Sequence, residues 1–196
     1  MLDATAIGVL GGSFNPPHEG HRALVIHAMR RLKLARFRVM VSPQNPLKDP
    51  ENYAPMEDRL LATEELFARL PNVRVVPEAE DEAPTYAIKT IRKLMRREGH
   101  KRFVYLMGAD TFAGLHRWYH WREIMETIPI AVVSRPAFRL APLKAPAARA
   151  YWEHRIPESK APSLVRAKAP AWCFIDGLNR PESSTAIREG KALEPA

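Results

Sequence analysis

Cysteine is almost absent from this chain of 196 residues: Cys173 stands alone, which excludes an intramolecular disulfide and any multi-cysteine zinc site. A reducing cytoplasm suits such a composition. Long apolar runs are missing too. No segment approaches the roughly 18 residues that a membrane span requires, and the apolar stretch from Ala6 to Leu10 is broken at once by Gly11 and Gly12, so it does not read as a signal peptide. Acidic residues are in the minority, with 22 Asp and Glu against 30 Lys and Arg and a formal charge of +8. That excess raises the local concentration of anions, nucleotide and nucleic acid alike, and also serves as a solubility device. No nucleic-acid-binding signature accompanies it. With 46% hydrophobic and 27% charged residues, the chain has the balance of a soluble globular protein. Its length suits one substantial core and a single domain.

Several familiar motifs are also missing. A GxGxxG fingerprint would need glycine at Ser13, and a Walker loop would need Gly-Lys-Ser/Thr near the first helix start. A zincin helix sets its histidines four apart, whereas His18 and His21 are three apart. His116 and His120 do have the four-residue spacing, but no third ligand is evident. No internal repeat is visible.

What is present is an alternation of two hydrophobic periods. Short β-rich apolar runs fall at Ala6–Leu10, Phe37–Ser42, Val73–Val76, Phe103–Met107, Ile130–Ser134 and Ala171–Ile175. Between them, helical spacing appears over Glu19–Leu34, Met56–Leu70 and Tyr86–Arg97, then in a Trp- and His-rich stretch, and last over Ser183–Lys191. Strands alternating with helices predict an α/β fold, Rossmann-like and doubly wound, with a mostly parallel sheet covered on both faces. Residues 135–170, rich in proline, alanine and basic residues, read mostly as a mobile loop excursion with one short helix near Ala147–His154.

The chemistry concentrates in Gly11–His21, GGSFNPPHEGH, between the first strand and first helix. Two glycines allow close backbone approach to a ligand, and the free N–H groups of a helix start attract phosphate. His18 and His21 would share one side of that start and offer two imidazoles of adjustable charge. A strand-to-helix junction of this kind is where open α/β sheets bind ligands. At the far end, Ser183, Ser184 and Thr185 open a helix with hydroxyl donors, and Arg188 lies one turn on with a forked cation.

GGSFNPPHEGH resembles the GxFxPxHxGH signature of the nucleotidylyltransferases, and Ser183–Arg188 resembles the SSTxIR element with which that superfamily grips a triphosphate. The intervening text is most similar to the nicotinate-nucleotide adenylyltransferase family: Pro84-Thr85-Tyr86 with Thr90 resembles its P-S-Y-T-x-x-T segment, Gly108-Ala109-Asp110-Thr111 its GxD element, and Arg135-Pro136 its Arg-Pro. Ala87 departs from the pattern, standing where that family has threonine.

The resemblance implies transfer of AMP from ATP to nicotinate mononucleotide, with Mg²⁺ carried mainly by the ATP phosphates rather than by a protein site. His18, His21 and Arg188 would be catalytic. Gly11, Gly12, Ser13, Phe14, Lys48, Gly108, Asp110, Ser184 and Thr185 would bind ATP, with Asp110 holding a ribose hydroxyl or helping to place Mg²⁺. Gln44, Thr85, Tyr86, Trp118 and Arg135 would bind nicotinate mononucleotide, Trp118 by stacking on the pyridine ring. Neither membrane nor nucleic acid is expected as a partner. The same chemistry on nicotinamide mononucleotide or phosphopantetheine, and a basic nucleic-acid-binding module, stay open as alternatives.

Overall fold

Every apolar run read as a strand becomes one, and all of them lie parallel. The computed structural model describes residues 3–43, 54–78, 86–135, 141–178, 182 and 184–188. Within these, β1 (Asp3–Gly12), β2 (Leu34–Val41), β3 (Val73–Pro77), β4 (Arg102–Gly108), β5 (Ile130–Val133), β6 (Arg155–Ile156) and β7 (Trp172–Ile175) form a seven-stranded sheet in the order β3-β2-β1-β4-β5-β7-β6. All of its pairings are parallel. This is the Rossmann-like, doubly wound architecture that the alternation predicts.

The side-chain period of two sends alternate residues to opposite faces, which is why the strand text is apolar throughout. In β4, Phe103, Tyr105 and Met107 enter one core cluster while Val104 and Leu106 enter the other. The first cluster is closed by α3 (Ala87–Glu98), α4 (Ala109–Ala113), α5 (Trp121–Thr127) and α7 (Pro146–Ala150), which supply Ile88, Ile91, Phe112, Ile124 and Ala147. The second is closed by α1 (Glu19–Leu32), α2 (Met56–Phe67) and a 3₁₀ stretch at Glu158–Arg166, through Leu24, Val25, Ala28, Phe67, Leu164 and Val165.

Residues 141–170 hold more structure than the sequence reading gave them. Besides α7 they contain α6 (Ala141–Lys144), a 3₁₀ turn at Trp152–His154, β6 and the 3₁₀ stretch. Ala145, Ala147, Ala148, Tyr151, Ala161, Leu164 and Val165 are buried, and the indole of Trp172 donates to the Tyr151 carbonyl at 2.8 Å. Small alanines dock closely against the sheet without producing the bulky 3.6-residue rhythm that reveals a helix in sequence.

The order of strands positions the site. The chain winds outward from β1 through β2 to β3, then returns to place β4 on the other side of β1. Winding reverses between β1 and β4, and the crevice outside the carboxyl ends of those two strands is where such sheets bind ligands. Gly11 and Gly12 end β1, Gly108 ends β4, and Arg135 follows β5 on the same edge.

Candidate active site

The turn from β1 into α1 is built around two stacked imidazoles. His18 is the N-cap of α1, in extended conformation, and His21 lies three residues on. Their rings stack with centroids 3.7 Å apart, and the buried ring of Phe14 closes on His21 at 4.9 Å. Phe14 itself has φ of 46°, a left-handed conformation that non-glycine residues seldom adopt. The His18 backbone N–H donates to His21 Nδ1 at 3.3 Å. An accepting Nδ1 places the neutral ring's proton on Nε2, so His21 is set as a donor through its far nitrogen.

His18 does not carry the adjustable charge expected from sequence. It is only 7% exposed. Burial, followed by the Arg135 guanidinium, lowers its pKa to about 4, against the opposing pull of Glu182 and Asp110. At neutral pH it is an uncharged imidazole.

At the end of β4, Gly108 caps α4, and Asp110 and Arg135 meet beside it, Oδ1 to Nε at 3.3 Å. A Cβ on Gly108 would stand 2.5 Å from Asp110 Oδ1 and 3.1 Å from Arg135 Nε, so glycine is required for the pair to sit where it does. Arg135 also donates from a terminal nitrogen to the Glu182 carbonyl at 2.8 Å. His18 Nδ1, Asp110 Oδ1 and Arg135 Nε are buried polar atoms that make no hydrogen bond among the described residues. Asp110 Oδ1 and Arg135 Nε face each other as an ion pair, which leaves His18 Nδ1 as the contact at the switch point that a polar ligand would satisfy.

The far end of the chain closes onto this turn. In α8 (Ser184–Arg188), Ser184 Oγ donates to the Pro16 carbonyl at 3.0 Å, and the Arg188 guanidinium donates to the Asn15 carbonyl. Gly20 makes the approach possible, because a Cβ there would lie 2.9 Å from His18 Nδ1 and 3.1 Å from the Glu182 carbonyl oxygen. The two motifs at opposite ends of the sequence are therefore in contact.

The structure thus brings together Gly11, Gly12, Ser13, Phe14, His18, His21, Gly108, Asp110, Arg135, Ser184 and Arg188. Thr185 lies in α8, its side chain outside the described part of the structure. Gln44, Lys48, Thr85 and Ser183 lie outside the described residues. Tyr86, the N-cap of α3, and Trp118 both pack against the core cluster on the α3–α7 face, and the Tyr86 ring meets exposed Tyr119 at 4.7 Å.

Sequence reasoning missed Asn15, whose carbonyl receives Arg188, the Glu182 carbonyl that receives Arg135, and Arg59, which donates to the Ser13 carbonyl at 2.6 Å. Asn15 lies inside the recognised motif and was within reach. Arg59 gave no signal, since one arginine in a helix of charged residues reads as surface.

A match to the cytidylyltransferase-like family spans residues 9–190. The chain is 43% identical over 187 residues to a protein of Rhizobium meliloti (strain 1021) named "Probable nicotinate-nucleotide adenylyltransferase", covering 95% of this chain and 99% of the relative. A relative of the same name from Agrobacterium fabrum is 43% identical over 93% of this chain and 97% of its own length. The chain belongs to the cytidylyltransferase-like family, among its nicotinate-nucleotide adenylyltransferases. A solved structure, Plasmodium falciparum nicotinic acid mononucleotide adenylyltransferase complexed with NaAD, superposes with a TM-score of 0.68, covering 94% of this chain and 83% of that one. At 15% identity, that likeness establishes the fold. The family match includes both the GGSFNPPHEGH turn and α8, the two pieces that the geometry joins.

Proposed function

We propose that this protein transfers the AMP part of ATP to nicotinate mononucleotide, releasing nicotinate adenine dinucleotide and pyrophosphate, as the names of its relatives and the likeness of fold support. In this reaction the 5′-phosphate oxygen of the mononucleotide attacks the α-phosphorus of ATP, and the bond from that phosphorus to the bridging oxygen of pyrophosphate breaks. No protein nucleophile is needed. The protein contributes positioning and stabilisation of charge on the transferred and leaving groups.

The observation that carries the reading is the hydrogen bonding of α8 to the Asn15–Pro16 turn, which puts Ser184 and Arg188 beside the His18–His21 helix start. In our assignment His21, its proton on Nε2, donates to the α-phosphate. Neutral His18 offers its ring to the neighbouring triphosphate oxygens. Arg188, Ser184 and Thr185 hold the β- and γ-phosphates, Arg188 with the nitrogens left after its bond to Asn15. Lys48 adds a cation to the same phosphates. Gly11, Gly12, Ser13 and Phe14 line the close approach of the backbone.

Asp110, whose Oδ1 faces Arg135 Nε at 3.3 Å while its side chain stays partly exposed beside the strand end, is the carboxylate that would help to place a Mg²⁺ ion held mainly by the substrate's phosphates, since Mg²⁺ commonly takes one carboxylate and keeps phosphate and water ligands. Bound there, the ion would neutralise charge on the leaving pyrophosphate. Arg135, held by Asp110 and the Glu182 carbonyl, is the cation assigned to the mononucleotide's phosphate side, and Tyr86, Trp118, Gln44 and Thr85 are assigned to its nicotinate end. The lone Cys173 suits a reducing cytoplasm, where this reading places the reaction. Among the described residues no helix is long and apolar enough to cross a membrane.

The test is direct. Purified protein is given ATP, Mg²⁺ and, in turn, nicotinate mononucleotide, nicotinamide mononucleotide and phosphopantetheine, with pyrophosphate release as readout. Fastest release with nicotinate mononucleotide supports the proposal. Preference for another acceptor would move the chain to that substrate, and no release with any would end the enzymatic reading.

A further inference from the structure

Arg59 is among the most completely buried polar residues of the described chain, only 3% exposed, and it lies in the first turns of α2, which supplies none of the site groups assigned above. Its guanidinium reaches three separate pieces of backbone. Nε donates to the Ala54 carbonyl at 2.9 Å, one terminal nitrogen to the carbonyls of Ser13 at 2.6 Å and Ser42 at 2.8 Å, and the other to the Pro43 carbonyl at 2.6 Å. Ser13 belongs to the turn after β1, Ser42 and Pro43 to the turn after β2, and Ala54 to the entry of α2. The planar fork of an arginine spans these acceptors at once, whereas a lysine ammonium is a single point.

The bonds continue toward the reacting groups. The Ala54 N–H donates to Asn15 Oδ1 at 3.1 Å, and the carbonyl of Asn15 receives Arg188. Between Ser13 and Asn15 stands Phe14, with its φ of 46° and its ring against His21. A left-handed non-glycine residue is held only where its surroundings over-determine it. Arg59 grips the residue immediately before it.

We infer that Arg59 is a positioning residue for adenylyl transfer, fixing the Ser13–Asn15 turn in the geometry from which His21 and Arg188 act, while making no contact with substrate. The inference rests on the adenylyltransferase reading and adds a requirement to it. Charge-assisted bonds to carbonyls in a buried setting keep the turn rigid before the nucleotide arrives, and displacement of a reacting geometry by about 1 Å can cost on the order of 10² in rate.

The experiment compares Arg59→Lys, Met56→Leu and Thr63→Val with the parent protein under saturating ATP, Mg²⁺ and nicotinate mononucleotide, with folding checked by near-UV circular dichroism and Tm. Thr63 is buried in the same helix and donates to the Arg59 carbonyl at 2.6 Å, so its loss weakens α2 without cutting the fork. Met56 Sδ accepts a single outer contact from the guanidinium at 3.4 Å. Arg59→Lys is expected to fold and to lose roughly 10²-fold in kcat, with KM for nicotinate mononucleotide nearly unchanged. Met56→Leu is expected to lose several-fold, and Thr63→Val to lower Tm while keeping kcat.

Folded Arg59→Lys with parental kcat overturns the inference and leaves the adenylyltransferase reading standing. So does a loss of kcat in Thr63→Val that matches Arg59→Lys at equal Tm. If Arg59→Lys does not fold, parental kcat in Met56→Leu overturns it. A parent protein inactive with every acceptor removes the reading beneath it and the inference together.

Discussion

His21 and His18 share a stack, and the roles proposed for them differ by which ring nitrogen is spoken for. His21 Nδ1 is engaged by the His18 N–H, so the ring has one defined donor to offer a developing negative charge. Removing a donor of this kind commonly costs about 10²–10³ in turnover. His21→Ala should therefore lower kcat by that factor with a much smaller change in KM for ATP. Steady-state kinetics with ATP varied checks it, and an unchanged kcat would exclude His21 from the reacting centre. A second buried titratable group has a thermodynamic consequence. Glu78 follows β3 in a buried position, where desolvation raises its pKa to about 7 despite a bond from Thr90. The folded protein keeps this proton up to about pH 7, while the unfolded chain releases it near 4.5. The folded state therefore binds more protons in that window, so the stabilisation is complete below 4.5 and is lost as pH rises through 7. His18 works in the opposite sense: the folded state binds fewer protons between about 4 and 6.5, so stability falls as pH drops through that window. Glu78→Gln should remove the alkaline loss and leave the acid one. Urea unfolding of both proteins from pH 4.5 to 7.5 should show the parent losing about 3 kcal/mol relative to Glu78→Gln, and parallel profiles would rule the raised carboxyl out.

Element junctions, more than element interiors, make the site, and two glycines show how tightly they are set. On Gly20 a methyl group would meet His18 Nδ1 at 2.9 Å and the Glu182 carbonyl at 3.1 Å, and neither the N-cap ring nor the backbone near α8 can withdraw freely. Gly20→Ala should destabilise by about 1–3 kcal/mol and raise KM for ATP by displacing α8 from the helix start. Chemical denaturation together with ATP kinetics tests this, and an alanine variant with parental values for both would show that α8 yields at no cost. This junction also explains what could be read from sequence. Strand runs such as FVYLM and IAVV are legible because burial on both faces leaves no polar alternation, and α1 and α3 show their apolar stripes. The His-bearing turn and α8 are legible because both resemble known motifs, and because the imidazole, hydroxyl and guanidinium groups they carry suit an anionic ligand. The two-residue strand β6 carries no period at all, and α6 and α7 are built on alanine and proline, whose small volume leaves no pattern. Arg59 is illegible because its task, holding backbone carbonyls, leaves no trace in residue spacing.

For the molecule as a whole, the proposed site lies on the seam between the two halves of the winding. β1 and the α1 start bring the histidines from the β3-β2-β1 side, while β4, β5 and the returning chain bring Asp110, Arg135 and α8 from the other. A nucleotide bound across this seam contacts parts that only the folded sheet holds together, and has no comparable site on the unfolded chain. Its binding energy therefore adds to global stability, by about 2.7 kcal/mol at a ligand concentration 100 times Kd. For a chain near this size each kcal/mol moves Tm by about 2–4 °C, so a non-hydrolysable ATP analogue with Mg²⁺ should raise Tm by roughly 5–10 °C. In Arg188→Ala, at the same analogue concentration, most of that rise should disappear, because α8 loses both its hold on Asn15 and its cation for the phosphates. Differential scanning calorimetry of the two proteins with and without analogue measures it. A rise equal in both would mean that the nucleotide binds without α8, and Arg188 would then have no part in holding its phosphates.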